Sequence, residues 1–155
     1  MKIMMGAKKK IALIAHDNMK EEMIQWSREN KDALENHELC GTGTTAGLLR
    51  HRVGLDIYQF KSGPFGGDLQ IGAKISEGEL DMVIFFYDPL MAQPHDPDIK
   101  ALLRVAALYD IPIAINRSTA CFLITSKFMH TEFEKNALDM DELKRKRREE
   151  FADLR

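Results

Sequence analysis

No charge of one sign dominates this sequence: 22 lysines and arginines stand against 24 aspartates and glutamates, a formal net charge of −2. So close a balance excludes the global basic field of a protein built for nucleic acid or anionic membranes, and any cationic site has to be local. Cysteine is scarce. The two present, Cys40 and Cys121, share no metal-type spacing, and no histidine lies at a finger-like offset from either. They read as reduced core thiols. Long hydrophobic runs are missing too, and nothing approaches the roughly 20 apolar residues of a membrane span. In the opening MKIMMGAKKKIALIA the run after the lysines falls short of the ~7–15 residues of a secretory core, and no small-residue cleavage site follows. The expectation is a cytoplasmic protein with neither nucleic acid nor membrane as partner.

What is present suits one folded domain. The chain is 45% apolar and 30% charged over 155 residues, enough for a single well-buried core and too short for two. Short apolar runs alternate with segments of helical period. IALIA is a continuous run suited to a strand covered on both faces, and NMKEEMIQWSREN follows as a helix burying Met19, Met23 and Trp26. HELC is a second strand. TTAGLLRHRVG is a helix with Leu48, Leu49 and Val53 inward and Gly54 just past its end. DIYQF is a third strand, and DLQIGAKISEG a helix that stops at Gly78. DMVIFFY, the most apolar strand, is expected at the centre. DPDIKALLRVAALYD places Asp96 as N-cap and Pro97 at N1. IPIAI is a fifth strand and STACFLIT a short helix or turn.

This alternation predicts an α/β fold: a single-domain three-layer α/β/α arrangement around a five-stranded, mostly parallel, doubly wound sheet. The domain is expected over residues 1–126. A charged C-terminal extension of the same domain, 127–155, is helical from Asp141. In such sheets ligands bind beyond the carboxyl ends of the strands. The segments there are HDN, GTGTT, KSGPFGGD, DPLMAQPHDPD and NRST, and they hold all the chemically interesting residues.

CGTGTT follows a strand and opens a helix. Gly41 and Gly43 allow close backbone approach, and Thr42, Thr44 and Thr45 add hydroxyls, an arrangement suited to phosphate. It lacks the Walker lysine and the third glycine of a dinucleotide fingerprint. A plain turn with a threonine cap fits this stretch equally well. The second loop, with Ser62 and Gly63, favours one anion shared between two cradles. Lys20, one turn into the first helix, can supply its countercharge.

His16, Asp17, Asp88, His95, Asp96 and Asp98 ring the same edge. They include metal-ligand types, but no HxH or HExxH spacing fixes three ligands, so no metal is expected. Asp96 has a sufficient role as a cap. A carboxylate ring would repel a phosphate that is only to be bound. Acid–base chemistry on a phosphorylated carbonyl compound needs one: a carboxylate removes a proton beside the carbonyl and a neutral histidine polarises its oxygen. Asp68, at the end of SGPFGGD, would sit across the cradle, aimed at the carbon skeleton.

With these residues in view, the sequence resembles the methylglyoxal synthase family. The runs IALIAHD, GTGTT, SGPFGGD, QIGAKISEG, FFYDPL and PHDPDIKALLR carry the resemblance over roughly Lys9 to Phe122. It implies conversion of dihydroxyacetone phosphate to methylglyoxal and inorganic phosphate, with no metal or organic cofactor, in a homohexamer. By the resemblance, Asp68 is the catalytic base and His95 polarises the carbonyl. His16, Lys20, Thr42, Gly43, Thr44, Thr45, Ser62, Gly63 and His95 contact substrate. Asp17, Asp88 and Asp98 are supporting carboxylates. Arg104 matches an arginine near subunit contacts, and one of Arg145, Arg147, Arg148 or Arg155 is a candidate to reach a neighbouring subunit. A solvated helical face with i,i+4 charge pairs explains that tail equally well. Two rivals remain: a non-catalytic regulatory domain of the same fold, as in carbamoyl phosphate synthetase, and an isomerase sharing the enediolate but not the elimination.

Overall fold

The computed structural model describes residues 1–152. In chain order its elements are β1 (Lys2–Met5), β2 (Lys10–Ala15), α1 (Lys20–Glu29), α2 (Lys31–Leu34), β3 (Glu38–Gly41), α3 (Gly43–Arg52) and β4 (Ile57–Gln59). Then come α4 (Gly67–Ser76), β5 (Met82–Phe86), α5 (Asp96–Leu108), β6 (Ile113–Ala114), α6 (Arg117–Ile124), β7 (Phe133–Asn136) and α7 (Met140–Ala152). Short 3₁₀ turns at Asp17–Met19 and Gly63–Phe65 lead into α1 and α4.

Five strands form one parallel sheet in the order β4-β3-β2-β5-β6. Alternation along the strands sorts the core into two layers. Ile11, Leu13, Ile84 and Phe86 face Met23 and Trp26 of α1, Leu49 of α3, and Ala120 and Ile124 of α6. Ala12, Ile14, Val83 and Phe85 face Ile71 and Ile75 of α4 and Ile99, Leu102 and Ala106 of α5. The three-layer expectation holds. Met19 and Leu48 are only partly buried against the first layer. Gly54 and Gly78 adopt the left-handed conformation, φ +80° and +75°, that ends a helix.

Three expectations are corrected. The central strand is β2, with β5 beside it. Both are covered on both faces, so apolarity cannot separate them; the connections do, because the chain winds outward through β3 and β4 before crossing over β2 to place β5. At α5 the N-cap is His95, with Asp96 and Pro97 inside the first turn and no side-chain cap bond, so the helix starts one residue early. Cys121 is exposed, since α6 buries Ala120 and Ile124 and turns the next positions outward. Cys40 is half-buried, its thiol pushed up to about 12 chiefly by burial.

The pairing of β1 with β7, antiparallel from Lys2↔Asn136 to Met5↔Phe133, was not expected from sequence. Behind it Lys9, 1% exposed, donates from Nζ to the carbonyls of Gly6 (2.5 Å) and Thr131 (2.6 Å). The Lys9 amide donates to Nδ1 of His37 at 2.9 Å, and His37 stacks on His130. Burial, then the charges of His130, Lys9 and Lys8, lowers the His37 pKa to about 4. The unfolded chain therefore binds this proton more readily, so stability present above about pH 6.5 is lost progressively as pH falls toward 4. The melting temperature should drop across that window, and less steeply in His37→Gln. Equal slopes for parent and variant would remove His37 from the account.

Candidate active site

Strand order reverses beside β2, and the crevice at the carboxyl ends of β2 to β5 is where a ligand belongs. A cavity of about 230 Å³ opens there. Its walls come from four loops that follow these strands.

His16 directly follows β2. Its Nδ1 accepts the backbone N–H of Asp88 at 2.9 Å, which leaves the ring proton on Nε2. Burial, with His95 and Lys20 nearby, lowers the His16 pKa and keeps the ring neutral. His95 stands edge-on to it, the ring centroids 5.9 Å apart at 89°. On its far side Nε2 of His95 lies 3.4 Å from Oδ2 of Asp68. Asp68 is 1% exposed in the first turn of α4. Burial raises its pKa against the opposing pull of His95, and Asp98 adds to the rise.

These three residues hold most of the unpartnered buried polar side-chain atoms among the described residues. Both oxygens of Asp68, Nδ1 of His95 and Nε2 of His16 are four of the five, Trp26 Nε1 being the other. Native interiors rarely leave such groups unpaired, and a cluster of them beside a cavity marks where a ligand completes the bonding.

The anion cradle is built from two interlocked loops. Gly43 donates its N–H to the Lys61 carbonyl at 3.2 Å, and a Cβ on Gly43 would lie 2.6 Å from Oγ of Ser62. Thr42 is the N-cap of α3 but makes no capping bond with its side chain, so the plain-cap reading fails locally. Thr42, Thr44, Thr45 and Ser62 line the cavity, the Thr45 hydroxyl lying 3.3 Å from both the amide and the carbonyl of Ala15. Helix geometry adds the first-turn amides of α3 after Gly43, those of Thr44 and Thr45. Lys20 reaches back as expected. Its Nζ bonds the Ala15 carbonyl at 2.7 Å and Oδ1 of Asp17 at 2.9 Å, with one ammonium proton left for a ligand.

The remaining sequence-predicted residues fall in distinct places. Gly63 lines the cavity against His95. Gly43 lies beneath Ser62. Asp17 is at the mouth, its carboxyl 96% exposed and its pKa lowered by the hydrogen bond from Lys20. Asp88 is buried behind His16. Asp98 is half-buried in the first turn of α5, near enough to Asp68 to affect its ionisation. Arg104 is exposed on α5. In α7, Arg145 pairs with Glu149 and Glu142 with Lys146, both at 2.8 Å and i,i+4, as the solvated-face reading expects. Arg155 lies outside the described residues. Among those residues no three His, Cys, Asp or Glu side chains are grouped to hold a metal ion.

A family model described as "MGS-like domain" matches residues 22–115. The chain is 58% identical over 135 residues to a methylglyoxal synthase from Clostridium acetobutylicum, covering 87% of this chain and 93% of that one. It is 53% identical over 137 residues to one from Aliivibrio fischeri, with 88% and 91% covered. The chain belongs to the methylglyoxal synthase family. Among solved structures, the crystal structure of methylglyoxal synthase from Elizabethkingia anophelis NUHP1 superposes with a TM-score of 0.87 at 38% identity, covering 92% of this chain and 94% of that one.

Three residues at this candidate site escaped the sequence reading. Phe65 and Gln93 line the cavity. Asn18 lies behind it, its amide on the Asp88 carboxylate. All three sit inside loops already singled out, so position relative to the strand ends was the available signal. Residue type was not, because none titrates.

Proposed function

We propose that the chain is a methylglyoxal synthase, converting dihydroxyacetone phosphate to methylglyoxal and inorganic phosphate. The observation that carries this reading is the buried, unpaired Asp68 carboxylate set against His95 beside an anion cradle. Binding alone gains nothing from such a carboxylate, which costs stability and repels the ligand. Proton abstraction needs it, and burial strengthens it as a base.

The cradle of Lys20, Thr42, Thr44, Thr45 and Ser62 holds the phosphate. Asp68 takes a proton from the hydroxymethyl carbon, and the electron pair moves into the carbonyl, giving an enediolate. His95 polarises the carbonyl oxygen, and the Nε2–H of His16 is a second donor; neutral imidazoles suffice for this. The enediolate then expels phosphate by breaking the bond between carbon and the ester oxygen. The enol left behind takes a proton at its methylene carbon and gives up its hydroxyl proton, becoming methylglyoxal. Excluding water and holding that bond out of the enediolate plane favour elimination over reprotonation. A homohexameric assembly, inhibition by the phosphate product and a cytoplasmic location belong to the same proposal and rest on family membership.

The test is purified protein with dihydroxyacetone phosphate in excess EDTA, followed for methylglyoxal and free phosphate. Equal amounts of both are expected, undiminished by chelation. Glyceraldehyde phosphate without free phosphate would make the protein an isomerase. Phosphate binding without turnover would make it a regulatory domain. Activity lost to EDTA and restored by one divalent ion would give the Asp/His ring to a metal.

A further inference from the structure

Asp88 looks like one more acid–base carboxylate, but its atoms are otherwise engaged. Oδ2 accepts from Nδ2 of Asn18 at 3.0 Å and Oδ1 from the Leu90 amide at 3.0 Å. The carboxylate closes a turn on the loop after β5, and the cavity wall does not include it. What Asp88 gives the site is its own backbone N–H, donated to Nδ1 of His16 at 2.9 Å. Asn18, in the 3₁₀ turn after β2, therefore ties two strand ends together over that bond. A carboxylate accepts only, so the amide must present its NH₂.

We infer that Asn18 is a positioning residue: by clamping the Asp88 carboxylate it holds the Asp88 amide on Nδ1 of His16 and so fixes which nitrogen of His16 faces the substrate. The inference deepens the proposed function and rests on it for its kinetic arm. A ring locked this way offers a neutral Nε2–H donor at an atom that is buried and unpaired in the cavity wall. A freed ring can turn, swap tautomer or take a second proton, and each outcome removes that donor. Asp88 becomes a positioning residue as well, which separates it from Asp68.

The pH dependence follows from every group facing His16. From α5 and the loop before it come His95 and Asp96, from α1 Lys20, from the loop after β5 Asp88; the Phe85 ring lies T-shaped to it and the Tyr87 ring tilted beside it. His95, Lys20 and burial disfavour the imidazolium, while Asp88 and Asp96 favour it. The Asp88 amide adds to the first set, since a donor on Nδ1 tolerates only the unprotonated nitrogen. Loosening the clamp therefore moves the His16 pKa up.

The test compares Asn18→Ala, Asp88→Ala and the double variant with the parent. In Asn18→Ala, kcat should fall about tenfold, the scale of losing a partner behind a functional histidine, with KM for dihydroxyacetone phosphate nearly unchanged. The acid limb of the kcat profile should move to higher pH, and Asn18→Gln should recover part of both. In the Asp88→Ala background Asn18→Ala should add little, because both changes break one clamp. Independently of turnover, ¹⁵N spectra of imidazole-labelled protein should show the His16 tautomer fixed in the parent and mixed in Asn18→Ala. A parent inactive on dihydroxyacetone phosphate would sink the functional reading while the spectra still judge the clamp. An unmoved His16 spectrum and acid limb in Asn18→Ala, or additive losses in the double variant, would overturn the inference.

Discussion

Asp68→Asn should lower turnover of dihydroxyacetone phosphate by about 10²–10⁴-fold, the usual worth of a general base. That is roughly 3–5 kcal/mol of barrier. Asparagine keeps the shape of the side chain and removes only the proton acceptor. The cradle built from Lys20, Thr45 and Ser62 shares no atom with the change, so affinity for a phosphate-bearing enediolate mimic should move far less than the rate. Inorganic phosphate should bind slightly tighter with one repelling charge gone. Stability supplies a second readout. The Asp68 carboxylate is buried with both oxygens unpaired and its pKa raised by that burial. An acid whose folded pKa lies above its unfolded value weakens the fold as pH rises through the interval between them, so at neutral pH Asp68→Asn should melt higher than the parent. Calorimetry and methylglyoxal release on one preparation decide the matter. Near-normal turnover would hand the base to Asp98 or Asp17. Lost affinity with no separate loss of rate would make Asp68 a loop organiser.

The second large effect is expected at Gly63. A Cβ there would lie 2.7 Å from Nε2 of His95 and 3.5 Å from Oδ2 of Asp68, so alanine fits only if the imidazole moves. Moving it separates the carbonyl polariser from the base. Misplacement of about 1 Å in a reacting group costs on the order of 10²-fold, and Gly63→Ala should lose about that much in kcat. Its backbone is not in the left-handed region, so the fold should survive. Gly67→Ala is the contrast: its Cβ would fall 1.9 Å from the Lys61 carbonyl, and the loop carrying Ser62 must shift with it. Gly63→Ala should therefore keep its affinity for inorganic phosphate, whereas Gly67→Ala should lose phosphate binding and melt lower. Normal kcat in Gly63→Ala would show that His95 tolerates displacement and does not act on the substrate.

Much of this architecture was legible locally. Continuous apolar runs marked β2 and β5, and helical spacing marked α1, α3 and α5. The loops between them announced the site, because the carboxyl ends of parallel strands collect the ligand residues whatever the strand order. Residues whose chemistry is carried by type, such as Asp68, His16, His95 and Lys20, could be named on that basis.

Contacts between distant segments were not legible. The β1–β7 pair joins residues 2–5 to 133–136 through short strands with little apolar signature. Lys9 stands in a run of three lysines, yet two backbone carbonyls from separate segments hold its ammonium in the interior. The same limit applied within the site. Sequence set Asp68 apart by its place at the end of SGPFGGD but left Asp17, Asp88 and Asp98 at the same edge as unranked supporting carboxylates. Tertiary structure made them different: Asp68 dry and unpaired, Asp17 solvated against Lys20, Asp88 tied to Asn18 and Leu90, Asp98 set back in α5. Composition and periodicity determine which segments become strands and helices, since those depend on neighbours along the chain. What each carboxylate can do depends on its solvent and its partners, and only the packing of the loops decides those.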